Sequence, residues 1–282
     1  MISTSIINLL AHYLKKRIFV PVTLDDFVLD VGGGDKPFWR ANVILDKFPD
    51  SKGLSQRFTG MDITLNKDQV LVVGDVENMP FKDSSFDFIY CSHLLEHVIN
   101  PEVAIKEIMR VGNRGYIELP LSCLQKVKDM PSHLWFTYLE NGVLCFVAKS
   151  SVEYDDSDFR YLRSLFNKYN FKINPDDMVT HMFWKKTIKY KIKGIAKLSL
   201  LKDSLKKEKF IKPNLSLYIF YKYSNLLLPY ILFWKRFKRN KHIEDILRCP
   251  NCKKNTKVSY LKKIIFCNFC QEKIELMGRK IE

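Results

Sequence analysis

Residues 27–35 read Phe27-Val28-Leu29-Asp30-Val31-Gly32-Gly33-Gly34-Asp35. A short apolar run that passes through an acid into three consecutive glycines constrains the chain strongly. It predicts a buried strand, then a tight turn whose backbone approaches something closely. Alone, this corner reads as a plain strand–loop junction or as the place where an α/β sheet seats a nucleotide-like ligand. Four more short apolar runs follow: Asn42 to Asp46, Gln69 to Asp75, Ser85 to Cys91, and Gly115 to Pro120. Between the last two, Pro101 to Arg110 has helical spacing, with Val103, Ile105, Ile108 and Met109 apolar and Glu102, Lys106, Glu107 and Arg110 polar. Strands that are apolar almost throughout, separated by helical segments, predict a mostly parallel α/β sheet with helices on both faces. Ligands of such sheets sit beyond the carboxyl ends of the strands, where Asp30, Asp46 and Asp75 fall.

Four strings carry a family resemblance by their order and spacing: Val28 to Gly34, Leu45-Asp46, Gly74 to Phe81, and Ser85 to Val98. Together they resemble a class I S-adenosylmethionine-dependent methyltransferase of the type 11 group, over roughly residues 27–120. The resemblance implies a Rossmann-like fold and a cofactor site built from Asp30, Gly32, Gly33, Gly34, Asp46, Asp75, Val76 and Ser92. Gly32 and Gly34 would pass close to the methionine part, with Asp30 at the base of that pocket. Asp46 would take the two ribose hydroxyls, Asp75 would accept from the adenine amino group, and Val76 would lie against the ring. Only 15 residues separate Asp30 from Asp46, so the first helix is expected to be short or irregular.

His93-Leu94-Leu95-Glu96-His97 also matches the H-x-x-E-H pattern in which two histidines one helical turn apart share a metal. Its position after a strand of the sheet argues against a protease. The two histidines at i and i+4 would share one helix face. In the family this segment borders the methyl-transfer site, which makes His93 a candidate base for a hydroxyl acceptor and gives His97 a structural role. Met130 to Phe136 resembles a subgroup of the same enzymes, which makes His133 a second candidate base and places Trp135 near the acceptor or in the core. An acceptor with an acidic proton would need no base. Trp135 to Leu139 and Val143 to Ala148 flank Asn141-Gly142, a type I′ hairpin signal, and would supply the sheet's antiparallel edge. Residues 158–170 have the spacing of a helix.

The net charge of +15 is unevenly placed: −4 over residues 1–180, +14 over 181–248 and +5 over 249–282. A field of that sign attracts polyanions such as nucleic acid, anionic lipid or phosphorylated substrates. Within it, Leu215 to Trp234 is nearly all apolar, and Lys235-Arg236-Phe237-Lys238-Arg239-Asn240-Lys241 follows at once. Three readings stand for this segment: buried cap helices with a solvated basic end, a helix lying at an anionic membrane surface, and a membrane span. Lys222, Ser224, Asn225 and Pro229 near its centre count against the span. The N-terminal Ile6 to Arg17 has amphipathic spacing without a cleavage signal.

Cys249-Pro250-Asn251-Cys252 and Cys267-Asn268-Phe269-Cys270 are two C-x-x-C pairs with 14 residues between them. Cys249, Cys252, Cys267 and Cys270 suit a tetrahedral structural Zn²⁺, with Val258 to Leu261 and Lys263 to Phe266 as a small β-ribbon. Metal binding would supply the folding energy so short a segment lacks. With no signal peptide visible, disulfides are the poorer reading.

The sequence thus predicts three parts: a methyltransferase domain over 1–180, a basic and partly apolar helical extension over 181–245, and a zinc ribbon over 246–282. The cofactor sheet, having its own core, is expected to bind its ligand whether or not the ribbon holds metal. A cytoplasmic location follows from the reduced cysteines, with peripheral contact at the inner membrane face as an extension of it. The expected acceptor is a small-molecule, glycan or lipid-linked compound, methylated on oxygen or nitrogen. The alternatives are an RNA methyltransferase that grips phosphates with the basic extension and ribbon, and a non-catalytic binding module that keeps the cofactor fold.

Overall fold

The computed structural model describes residues 17–48, 63–122, 132–151, 178–196, 223, 227–228, 242–255, 258–261 and 264–277. The helix expected over 158–170, the N-terminal amphipathic segment and nearly all of the 215–241 stretch lie outside them. No helix among the described residues is long and apolar enough to cross a membrane.

The five sequence-predicted runs form β1 (Val28–Val31), β2 (Val43–Asp46), β3 (Val70–Val73), β4 (Phe88–Ser92) and β5 (Arg114–Pro120), all mutually parallel where they pair. Later strands are β6 (Trp135–Glu140), β7 (Val143–Ala148), β8 (Val179–Lys185), β9 (Lys189–Lys193), β10 (Val258–Leu261), β11 (Ile264–Cys267) and β12 (Lys273–Met277). The main sheet has the order β10-β11-β12-β3-β2-β1-β4-β5-β8. The order reverses direction at β1, between β2 and β4, which is where an open α/β sheet forms its ligand crevice.

Side chains alternate across the pleat. Leu29, Val31, Val43 and Leu45 point to one face and join Ile105, Ile108, Trp135 and Phe146 in the larger core. Val28, Ile44, Leu71 and Tyr90 point to the other, with Phe38 and Trp39. The helix Pro101–Val111 covers the first face. It starts where Asn100 caps Val103 N at 3.2 Å and proline occupies the first turn. It buries Ala104, Ile105, Ile108 and Val111, while Val103, apolar by pattern, is 36% exposed. Burying each larger apolar side chain contributes about 1.5–3 kcal/mol. No helix joins β1 to β2; residues 35–42 form a loop. Gln69 Nε2 donates to Phe38 O at 2.8 Å and Asn66 Nδ2 to Trp39 O at 3.0 Å. The short span between Asp30 and Asp46 is therefore filled by two buried aromatics rather than by a helix.

The 135–148 hairpin forms as expected, with Asn141 at φ 49° and Gly142 at φ 75°. It sits in a separate sheet of order β6-β7-β9, and the antiparallel edge beside β5 comes from β8. Gly115 lies in β5 between β4 and β8: a Cβ there would meet Ile89 O at 2.2 Å and Trp184 Nε1 at 2.8 Å. Backbone cannot move aside cheaply, so Gly115→Ala is expected to cost about 1–3 kcal/mol of stability, read from the denaturation midpoint. An unchanged midpoint would mean that β5 has room to separate from β4.

The ribbon is not a free appendage. Strand β12 adds antiparallel to β3, pairing Leu276 with Val72 and Met277 with Leu71. Lys82 N donates to Ile246 O at 2.8 Å, Arg248 N to Pro80 O at 3.0 Å, and Asn78 Nδ2 to Pro250 O at 3.1 Å. Ile265, Ile274 and Leu276 are buried in the same core as β1 and β2. This replaces the expectation of an independently packed sheet with one continuous structure.

Candidate functional site

The glycine corner needs its glycines for two reasons. Gly32 at φ +72° would drive a Cβ into the Leu94 side chain at 2.7 Å, whereas Gly34 at φ +54° has almost open space above it. Gly32 N donates to Leu45 O at 2.8 Å, so the corner is fastened to the end of β2. Asp46 completes the fastening: its Oδ2 accepts from Gly34 N at 2.9 Å and its Oδ1 from Phe48 N at 2.8 Å. It remains half-buried.

Asp30 is buried, and its Oδ2 accepts from Phe38 N at 2.7 Å, which holds the 35–42 loop. Gly33 packs directly on that carboxyl, since a Cβ there would meet Asp30 Oδ2 at 2.7 Å. Burial pushes the Asp30 carboxyl from its ordinary 3.8 up to about 7; the Phe38 N–H and Arg17 pull it down, and Asp46 adds to the rise. Because the folded value is raised, the folded state holds this proton more tightly than the unfolded chain does. Its favourable contribution is present below about 4 and is lost as pH rises to about 7. Asp30→Asn, which keeps the acceptor for Phe38, is therefore expected to gain stability relative to wild type across that window. Parallel melting curves for the two proteins from pH 4 to 8 would contradict this.

At the end of β3, Asp75 Oδ1 accepts from Glu77 N at 2.9 Å, and Oδ2 pairs with Lys47 Nζ at 2.6 Å. Val76 is buried in the larger core. Glu77 Oε1 accepts from Ile99 N and Asn100 N, and Glu107 Oε2 from Met79 N, so the 75–79 loop is tied to the helix that follows β4.

After β4, Ser92 Oγ donates to Glu118 Oε1 at 2.9 Å, and Tyr116 OH donates to Glu118 Oε2 at 2.6 Å. Residues 93–97 form turns, with His93 at φ 55°, and not the helix that H-x-x-E-H suggested. The histidines meet through Glu96 instead. Glu96 is fully buried; His93 Nδ1 lies 3.4 Å from its Oε1, His97 Nε2 3.8 Å and His133 Nε2 4.0 Å. His93 Nε2 also reaches Glu118 Oε1 at 3.2 Å. Burial opposes a charge on Glu96, but the His93 hydrogen bond and the surrounding imidazoles outweigh it and hold the carboxyl at about 2. Burial, with His97 beside it, pushes His133 well below the usual imidazole range, so it is neutral. Trp135 is a core residue whose Nε1 donates to Val98 O at 2.8 Å.

Sequence reasoning named His93 and His133 as candidates but not Glu96, which lies near both, nor Glu118, which lies beside His93. The available signal was an acid at a buried strand position (Glu118) and an acid inside an otherwise apolar turn (Glu96). The structure brings Gly32, Gly34 and Asp46 together, keeps Asp75 beside them through Lys47, and sets His93 and His133 around Glu96.

The four ribbon cysteines converge, with their Sγ atoms all within 4.8 Å of one another. Cys249 Sγ lies 3.5 Å from Cys270 Sγ, and Cys252 Sγ 3.6 Å from Cys267 Sγ, far beyond disulfide length. Each knuckle is followed by a left-handed residue, Lys253 at φ 61° and Gln271 at φ 60°. This donor set and spacing are compatible with zinc.

A family model described as a methyltransferase domain matches residues 47–117. The matched stretch takes in β3, β4, the helix that follows it and the start of β5. No curated protein matches the chain. Among solved structures, a chain of the Haloferax volcanii complex containing the Trm112 methyltransferase activator is 22% identical, with 40% of this chain and 52% of that one covered, at a TM-score of 0.31. The YcgJ protein of Bacillus subtilis is 20% identical, covering 44% and 59%, at 0.30. A SAM-dependent methyltransferase from Methanosarcina mazei is 20% identical, covering 43% and 69%, at 0.29. The match spans about half the length of the first of these structures.

Proposed function

We propose that this chain is an S-adenosylmethionine-dependent methyltransferase whose acceptor is a small-molecule, glycan or lipid-linked compound. The observation that carries the reading is the methyltransferase-domain match over residues 47–117, ending on the strand that holds Glu118 beside His93. The residues fit the cofactor. Gly34 leaves open space over a turn of positive φ, and Asp46 is a half-buried carboxylate pre-oriented by two N–H groups at the end of β2. When bound, the cofactor supplies a methyl group on a positively charged sulfur, open to in-line attack.

The chain's own work is then positioning and proton handling. Gly32, Gly33 and Gly34 give close backbone approach, with Asp30 fixing the loop beneath. Asp46 takes the ribose edge. Asp75 and Val76 border the adenine end, and Lys47 holds Asp75 in place. Ser92 and Glu118 brace the opening beyond β4. His93, 41% exposed and flanked by two ionisable acids, is the group best set to take a proton from an acceptor hydroxyl. His133 is buried, and acts through the Glu96 cluster rather than by direct contact. Cys249, Cys252, Cys267 and Cys270 hold a structural Zn²⁺ that leaves no ligand position open.

Incubating the protein with methyl-labelled cofactor and a cell extract tests this reading. Label is expected in a small or lipid-extractable product, which mass analysis then identifies. Label in RNA would transfer the assignment to the nucleic-acid alternative, and no transfer to any fraction would favour a binding module. The +14 charge of residues 181–248 gives a second handle. Neutralising Lys235, Arg236, Lys238 and Arg239 together is expected to remove about 1 kcal/mol per charge from binding to anionic vesicles. Cofactor affinity should stay unchanged. Vesicle binding equal to wild type would show that this run does not meet lipid.

A further inference from the structure

Outside the ribbon, a second group of ligating atoms lies within 4.8 Å of one another: a Glu96 oxygen and one ring nitrogen each of His97 and His133. Both Glu96 carboxylate oxygens are buried, and the His93 contact to Oε1 is long, at 3.4 Å. The imidazole nitrogens stand 3.4, 3.8 and 4.0 Å from its Oε1, longer than close charge-assisted bonds of about 2.7–2.9 Å, which leaves room for an ion among them.

The arrangement has the other marks of a ligand set. His97 Nδ1 lies 3.0 Å from Ser132 O and donates to it, which fixes the tautomer and leaves Nε2 with a lone pair on the Glu96 side. The main chain holds the three together: Glu96 O accepts from Leu134 N at 2.7 Å and from Trp135 N at 3.3 Å, pinning the segment that carries His133 to the turn that carries Glu96. Ligand atoms around a tetrahedral ion with bonds of about 2.0–2.1 Å stand about 3.4 Å apart. The separations of 3.8 and 4.0 Å close to that with shifts of a few tenths of an ångström.

We propose that Glu96, His97 and His133 form a second metal site that binds a divalent transition cation. Two imidazoles and one carboxylate select ions of the Zn²⁺, Fe²⁺ or Co²⁺ kind over Mg²⁺ and Ca²⁺, which prefer all-oxygen sets. Three protein ligands leave at least one position open, the pattern of a reactive site rather than a structural one. His93, 3.4 Å from the same Glu96 oxygen and 41% exposed, stands at the open side. The site adjoins the glycine corner, because Leu94 of the same turn packs against Gly32. It stands whether or not the chain transfers methyl groups.

The test uses the full-length protein titrated with Co²⁺, with bound metal counted after gel filtration. Wild type is expected to hold about two ions per chain: one with thiolate charge-transfer bands from the ribbon, one with only the weak bands of nitrogen and oxygen ligands. Glu96→Gln and His97→Gln should each lose the second ion and keep the thiolate bands. With the ribbon already zinc-loaded in both proteins, further Zn²⁺ should raise the melting temperature of wild type but not of His97→Gln. A wild-type protein that binds only thiolate-ligated cobalt would overturn the proposal. So would retention of the second ion in both variants. Should a variant misfold, the wild-type cobalt spectrum alone decides.

Discussion

Cys252→Ser or Cys267→Ser is expected to release the ribbon zinc, unfold the chain from about residue 246 onward and weaken cofactor binding as well. The first effect is large because structural zinc contributes about 10–16 kcal/mol of binding free energy that is also folding free energy. The second follows from the shared sheet. Without β12, the strand β3 loses the Leu276–Val72 and Met277–Leu71 pairs and becomes an exposed edge. Pro80 and Asn78, in the loop that begins at Asp75, lose their contacts with Arg248 and Pro250. Affinity for S-adenosylmethionine should drop by about tenfold, an energy of ~1.4 kcal/mol, as the adenine side loosens. Hydrogen exchange would read the spread: loss of protection at 70–73 together with 264–277 is the expected pattern. Loss confined to 264–277, with unchanged affinity, would show that the ribbon is only attached to the site and does not brace it.

Asp46→Ala should produce the largest loss of cofactor affinity from a single substitution. It removes the proposed ribose acceptor and also leaves Gly34 N and Phe48 N without their carboxylate partner. Each unmet group costs about 1–3 kcal/mol when shielded from water. The loss is therefore expected to be about 10- to 100-fold in dissociation constant. Asp46→Asn keeps one acceptor oxygen and should fall between the two. Calorimetric titration of the three proteins gives the order directly. Equal affinity for Asp46→Ala would place the ribose acid elsewhere.

What could be read from the chain was what local chemistry dictates. β1 to β5 announced themselves as apolar runs, the Asn141-Gly142 hairpin as a pair of residues that tolerate positive φ, and the ribbon as two C-x-x-C knuckles. The order of Gly32, Asp46 and Asp75 put all three at or just past the carboxyl ends of β1, β2 and β3. What escaped depends on partners distant in sequence. Nothing near Val72 indicates that Leu276 will pair with it, some two hundred residues on, so the ribbon looked separable. The hairpin's own residues do not say which sheet it will join; β9 decides that by pairing with β7. The i, i+4 spacing of His93 and His97 suggested a helix, but His93 at φ 55° puts a turn there. Glu96, written between those histidines, is distinguished only by its burial, which the sequence does not display.

The central claim is that the glycine corner and Asp46 form a cofactor site, and calorimetry on the wild-type protein tests it most directly. Titration with S-adenosylmethionine, and separately with its demethylated product, is expected to give saturable binding with about one site per chain. Heat indistinguishable from dilution for both ligands, in protein shown to be folded and metal-loaded, would contradict the account.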